Sequence, residues 1–298
     1  MNLFDAVGDT PLLPLERISR AVGGAQIFAK AEFLNPSGSV KDRAAKAMLL
    51  DGLATGKLGP GKSLIDATSG NTGIAYAMFG AALGTPVKIY MPANASAERQ
   101  KIIRVYRAEI VATDPLESSD GAYYAARREY DAAPEKYFYP DQYHNDANWR
   151  AHYETTAPEI WRQTAGKITH FVALTGTSGT FTGVSRRLKE FNPAIKVFAA
   201  QPDSPMHGLE GTKHLASTLK PGFFDANLPD GYPPVETESA YEMARRLARE
   251  EGLFVGISSG GNVCAAAAIA AKLPRDAVVV TILADGGGRY LSDKFWDK

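Results

Sequence analysis

Short apolar runs recur along the 298-residue chain, at Ser63–Ala67, Val87–Met91, Glu109–Thr113, Thr169–Thr175, Ile195–Gln201 and Ala277–Leu283, each set apart by a longer stretch of mixed polarity. Continuous apolar runs mark strands covered on both faces, and the intervening stretches are long enough to be the helices that cover them. The pattern predicts an α/β protein with mainly parallel strands. Helices are expected around Trp149–Gln163, over Gly179–Phe191 and Glu236–Glu251, and along the Ala-rich run Cys264–Ala271. Ahead of the alternation, Gly8-Asp9-Thr10-Pro11-Leu12 leads into a hairpin-like strand pair that includes Ile27–Phe33. Residues 202–234 are rich in Gly, Pro and Asp and read as loop. Because the pattern restarts after Tyr139, the chain divides into two α/β units. A smaller domain spans 40–146, and a larger one combines 1–39 with 147–298. No internal repeat or low-complexity linker interrupts them.

Composition narrows the partners. Lys+Arg 33 balances Asp+Glu 33 and no basic run stands out, which argues against nucleic acid or a membrane surface. No apolar run reaches the ~20 residues that span a bilayer, and the N-terminal residues lack the pattern of a signal peptide. Cys264 is the sole cysteine, so an intrachain disulfide and a Cys-based metal cluster are excluded. It reads as a small buried residue. A cytoplasmic enzyme acting on small molecules fits these facts.

The candidate chemistry sits where apolar runs end. Asn35-Pro36-Ser37-Gly38-Ser39-Val40-Lys41-Asp42-Arg43 reads as a strand exit, a tight turn and the first turn of a helix capped by Ser39. Lys41 falls in that turn, where the positive end of the helix dipole lowers an ammonium's pKa. A lysine so tuned can form a Schiff base with a carbonyl cofactor and later act as a base. Thr68-Ser69-Gly70-Asn71-Thr72-Gly73 opens an apolar helix and offers hydroxyls and amides to a carboxylate. Gly176-Thr177-Ser178-Gly179-Thr180 opens another helix and has the makings of a phosphate cradle: close backbone approach at glycine, hydroxyl donors and a free helix N-terminus.

Two further spellings lead elsewhere and fail. Gly256-Ile257-Ser258-Ser259-Gly260 matches the G-x-S-x-G elbow of hydrolases, but that fold needs a histidine after the serine. All five histidines precede Ser258. Gly56 to Ser63 spells G-x-x-x-x-G-K-S, yet it ends a helix and enters a strand, and Pro60 removes an amide. A phosphate-binding P-loop needs the reverse context.

The lysine turn and the two helix-opening loops, in this order, resemble the cysteine synthase family of pyridoxal 5'-phosphate (PLP) enzymes. That is the fold type II, tryptophan synthase β-like architecture of two three-layer α/β domains. The resemblance runs from Gly8-Asp9-Thr10-Pro11-Leu12 to Gly288-Arg289-Tyr290-Leu291-Ser292. It implies that PLP lies in the cleft between the domains, bound through Lys41, with its phosphate on Gly176, Thr177, Ser178, Gly179 and Thr180. Asn71 then meets the phenolic oxygen and Ser258 is a neutral partner of the pyridine nitrogen. Thr68, Ser69, Gly70 and Thr72 hold the substrate carboxylate together with Gln142. Lys213 is an expected contact for an anionic donor group. The run Asp285-Gly286-Gly287-Gly288-Arg289-Tyr290 is closer to cysteine synthase B than to the Ser-rich form of cysteine synthase A. The implied activity is β-replacement on an activated serine, O-acetyl-L-serine favoured and O-phosphoserine open, with sulfide or thiosulfate adding to an aminoacrylate to give L-cysteine. A cystathionine β-synthase-like or serine/threonine dehydratase activity stays open within the fold, and a non-catalytic PLP-fold binding protein outside it. Relatives are usually homodimers.

Overall fold

The computed structural model describes residues 2–68, 70–218 and 220–298. Ser69, one of the expected carboxylate contacts, lies outside the described residues.

The chain opens with β1 (Leu12–Pro14), α1 (Glu16–Val22) and β2 (Gln26–Ala31), then α2 (Lys41–Ala54). There follow β3 (Ser63–Ala67), α3 (Asn71–Leu83), β4 (Val87–Pro92), α4 (Ala97–Val105), β5 (Glu109–Thr113), α5 (Ser118–Ala132) and the short β6 (Tyr137–Phe138). Next come α6 (Asp146–Ala151), a π-helical turn (His152–Thr156) and α7 (Ala157–Gln163). The remainder is β7 (His170–Leu174), α8 (Gly179–Phe191), β8 (Lys196–Pro202), β9 (Pro234–Val235), α9 (Thr237–Glu251), α10 (Ile257–Ala270) and β10 (Val278–Leu283).

These strands build two sheets. One runs β1-β2-β10-β7-β8-β9, antiparallel only between β1 and β2. The other runs β5-β4-β3-β6 and is parallel throughout. Strand period decides the layers. In β10, Val279 and Leu283 face the core made with α1, α9 and α10, while Val278, Val280 and Ile282 face the core made with α7 and α8. In β3, Leu64 packs with α2, α3 and α4, and Ile65 and Ala67 pack toward α5. Each sheet is thus the middle of three layers, which is why its strands read as unbroken apolar runs. The helix α3 is buried almost all round, with Ile74, Ala75, Tyr76 and Phe79 at 1% exposure or less, which matches its nearly uniform apolar sequence.

The differences from the sequence pattern are local. The stretch 149–163 is two α-helices joined by the π turn rather than one helix. Val40, not Ser39, takes the cap position of α2 and makes no side-chain cap; Ser39 Oγ instead accepts from the Lys41 N–H at 3.3 Å. The short β6 and β9 lack any apolar run of their own, and each is made a strand by the neighbour it pairs with. Gly56 has φ +68° in the turn that leaves α2, so the P-loop spelling does end a helix.

Candidate functional site

Parallel strands point their carboxyl ends the same way, and ligands of open α/β sheets gather there. The loops after β2, β3, β6, β7, β8 and β10 and the first turn of α10 supply the candidate side chains, and α6, the π turn and α7 support them.

The loop after β2 brings in Lys41. Asn35 braces it, donating from Nδ2 to Glu32 O at 2.9 Å and to Glu32 Oε2 at 2.8 Å while its Oδ1 accepts from Gly8 N–H at 3.0 Å. Gly38 turns the chain at φ +86°, and a Cβ there would stand 2.9 Å from Arg289 Nη2, so both conformation and space call for glycine. Val40 N–H donates to Ala284 O at 2.8 Å, pinning the loop to the end of β10. Burial lowers the Lys41 pKa, against the pull of Asp285. The helix dipole acts in the same direction as burial. The two most buried lysines among the described residues are ion-paired, Lys30 with Glu159 at 2.6 Å and Lys213 with Asp120 at 2.8 Å. The Lys41 ammonium has no hydrogen-bond or ion-pair partner among the described residues and lines the cavity.

Two residues on, Arg43 anchors the same helix turn. Its guanidinium donates to Glu32 at 2.7 and 2.8 Å and to Glu159 at 2.7 and 2.7 Å. Those two carboxylates hold the Arg43 charge in place despite burial, and the sequence alone gave no sign of this network.

After β3, Thr68 Oγ1 accepts from the Gly70 N–H at 3.1 Å, and Thr72 Oγ1 donates to Gln142 Oε1 at 2.9 Å. Gln142 in turn donates to Ala67 O at 2.7 Å. The structure therefore brings the distant Gln142 onto the β3–α3 loop. Asn71, the first residue of α3, donates from Nδ2 to Asp285 Oδ2 at 2.7 Å and accepts from Arg289 Nη1 at Oδ1.

After β7 the turn is tight. Ser178 adopts φ +64°, and a Cβ on Gly176 or Gly179 would fall 2.4 Å from Gly211 O or 2.0 Å from Asn148 Oδ1. Ser178 Oγ is buried with no partner among the described residues. It lies at the N-terminus of α8, whose first amides have no partner inside the helix. An orphaned hydroxyl beside free amides is what a phosphate would satisfy. Thr180 Oγ1 is 3.3 Å from His152 Nε2, and His152 Nδ1 is 2.9 Å from Thr156 Oγ1. His152 reads from sequence as a surface or loop residue, but it is 2% exposed, and burial depresses its pKa to about 3. It is a neutral support for the Thr180 hydroxyl. A π turn is a frequent mark of such sites.

Ser258 lies in the first turn of α10, its hydroxyl without a partner among the described residues. It lines a 50 Å³ cavity with Lys41, the 176–180 loop and Asn262. A larger cavity of 370 Å³ adjoins it and shares Lys41, Gly176 and Thr177. Thr68, Asn71, Thr72, Gln142 and Lys213 also line it. Lys213 stands over the Tyr143 ring at 4.7 Å. The described residues expected from sequence, Gly70 excepted, thus line these two adjoining cavities. An amine with no ion-pair or hydrogen-bond partner among the described residues, a phosphate-sized cradle and the Ser258 hydroxyl fit a phosphorylated aldehyde. No group of His, Cys, Asp and Glu among the described residues could hold a metal ion.

The family model described as "Pyridoxal-phosphate dependent enzyme" matches residues 3–285. A cysteine synthase of Aquifex aeolicus is 51% identical over 296 residues, covering 98% of this chain and 90% of that protein. Cysteine synthase B of Escherichia coli is 42% identical, covering 98% of this chain and 94% of that protein. Among solved structures, the cysteine synthase of Entamoeba histolytica superposes with a TM-score of 0.93 at 33% identity, covering 100% of this chain and 90% of that one.

Proposed function

Because the chain belongs to the pyridoxal-phosphate-dependent enzymes and, among them, to the cysteine synthases, we propose that it makes L-cysteine by β-replacement on an activated serine. O-acetyl-L-serine is the favoured donor, O-phosphoserine the other, and sulfide or thiosulfate the sulfur source. When bound, PLP supplies an electron sink for negative charge at the substrate Cα. The remaining work falls to the chain itself.

In this reading Lys41 Nζ holds the cofactor and, once released, takes the proton from Cα. Its lowered pKa supplies the neutral amine that both tasks need. The loop Gly176, Thr177, Ser178, Gly179 and Thr180 holds the phosphate. Ser258 meets the ring nitrogen as a neutral hydroxyl, which leaves the ring less electron-withdrawing than a carboxylate partner would. Thr68, Ser69, Gly70 and Thr72, with Gln142, orient the substrate carboxylate. The two sheets then act as domains, 40–146 against 1–39 with 147–298, that meet around the cofactor. The observation that carries the reading is the partnerless Lys41 amine, which lines one cavity with Asn71 and the adjoining one with the orphaned Ser178 hydroxyl.

Absorbance tests it. Purified protein supplied with PLP should be yellow, and O-acetyl-L-serine should shift the band until sulfide restores it. Lys41→Ala should lose at least about 10³-fold in turnover, because proton abstraction and cofactor attachment vanish together. A Lys41→Ala protein with full activity overturns the mechanism. Lys213 is offered for an anionic donor. It would have to leave Asp120 to reach one, so Lys213→Ala should cost turnover with O-phosphoserine more than with O-acetyl-L-serine. An unchanged ratio removes that role.

A cytoplasmic homodimer completes the proposal. No helix among the described residues is long and apolar enough to cross a membrane. Leu50 and Leu53, each 42% exposed on the outer face of α2, support a subunit contact there. Sedimentation giving only a 32.0 kDa species would reject the dimer.

A further inference from the structure

An asparagine amide presents oxygen to one side and two N–H donors to the other, and its neighbours decide which way round it sits. Asn71 has two neighbours that leave no choice. On one side the Arg289 guanidinium, a donor only, gives a hydrogen bond from Nη1 to Asn71 Oδ1. On the other, Asn71 Nδ2 donates to Asp285 Oδ2 at 2.7 Å. That same oxygen also accepts from the Tyr290 hydroxyl at 2.7 Å, so it is fixed as an acceptor. Turning the amide over would set N–H against guanidinium and oxygen against carboxylate.

The clamp is itself rigid. Asp285 is fully buried and Arg289 is 7% exposed. Asp285 O accepts from the Gly256 N–H at 3.0 Å, and a Cβ on Gly256 would fall 2.2 Å from Asp285 Oδ1, so the carboxylate is packed against glycine backbone. Arg289 Nη2 also donates to Ser37 O in the turn that delivers Lys41. One guanidinium therefore ties the Asn71 amide to the lysine loop across the cavity they both line.

We propose that Asp285 and Arg289 are positioning residues that lock the Asn71 amide with its second N–H offered to the cavity, as the donor for an ionised phenolic oxygen. The inference rests on the reading of PLP as the occupant. It adds that the ionisation state of that oxygen is set by residues lying behind Asn71, with no contact to the ligand required of them. A donor held toward a phenolate favours the ionised form, and an amide free to turn does so only part of the time.

The test uses the protein loaded with PLP, without substrate, at one fixed pH. It reads the ratio of the visible bands of the ionised and neutral phenol and the PLP dissociation constant by equilibrium dialysis. Asp285→Asn and Arg289→Met should each shift the ratio toward the neutral form and weaken PLP binding about tenfold, as expected for loss of one hydrogen bond to a charged group. Arg289→Lys, which restores a donor, should recover most of the ratio; a purely structural role predicts no such recovery in the spectrum. Asn71→Ala should shift the ratio at least as far, and Asn71→Ala with Asp285→Asn no further than Asn71→Ala alone. If Arg289→Met does not fold, Asp285→Asn and Arg289→Lys still decide the matter. A wild-type ratio in Asp285→Asn beside a shifted Asn71→Ala overturns the clamp and leaves the cofactor reading intact. Wild-type protein that takes up no PLP overturns that reading, and this inference with it.

Discussion

Asp66, the penultimate residue of β3, has its carboxylate 1% exposed, with Oδ1 accepting from Ala67 N–H at 2.7 Å. Burial, aided by the nearby Asp141, pushes its pKa up from 3.8 to about 8. The folded chain thus holds this proton more tightly than the unfolded chain. The group's contribution to stability is complete below its ordinary value and is lost as pH rises through about 8. Between pH 6 and 8 the wild-type protein should lose about 2 kcal/mol more stability than Asp66→Asn. Urea titrations at the two pH values check this, and parallel losses would reject it. His152 works in the opposite sense. Its depressed pKa means stability is full above its ordinary value and falls as the buried ring is forced to charge in acid. Neither behaviour is visible in the sequence, where Asp66 is one polar residue in a strand and His152 one histidine among five.

The turn that delivers Lys41 depends on elements far apart in sequence. Arg43 on α2 binds Glu32, just beyond β2, and Glu159 on α7. Glu159 also pairs with Lys30 of β2. Breaking a buried pair from one side leaves charges without partners, so Arg43→Met should cost about 3–5 kcal/mol in urea unfolding. A loss under about 1 kcal/mol would mean Glu32 and Glu159 find other partners or take up protons. At this scale the sequence was informative where elements are long and chemically marked. Most strands, the helix Gly179–Phe191 and the three motif loops fall where the apolar runs and Gly/Ser/Thr clusters put them. It was uninformative where the cause lies in another element. The two-residue strands β6 and β9 exist through their partners. The break at His152 is a choice among helical hydrogen-bond patterns that residue types barely distinguish. The cap falls on Val40 rather than Ser39, in a turn whose Val40 N–H is held by Ala284 O just past β10.

Across the whole molecule, the stretch 208–213 after β8 reaches over the cavity to the other sheet's helices. Glu210 pairs with Arg99 of α4, whose guanidinium also lies 4.6 Å from the Tyr290 ring, and Lys213 pairs with Asp120 of α5. Arg99 is 2% exposed, so loss of its partner uncovers a buried charge. Glu210→Gln should therefore speed hydrogen exchange in the first turns of α4 by about tenfold or more while leaving β10 unchanged. Equal exchange in both proteins would show that the pair holds nothing shut.

The sequence by itself determined the layered α/β architecture, because strands covered on both sides must be apolar throughout. It also determined the family chemistry, because the lysine turn and two helix-opening loops are local spellings that carry their own backbone requirements. The tertiary structure alone decided what each of those groups is next to. Desolvation outweighing the pull of Asp285 sets the Lys41 amine, Gln142 reaches Thr72 from 70 residues away, and Asp285 and Arg289 choose which face Asn71 presents. Proximity between distant residues is created by folding, and pKa values and amide orientations follow from proximity.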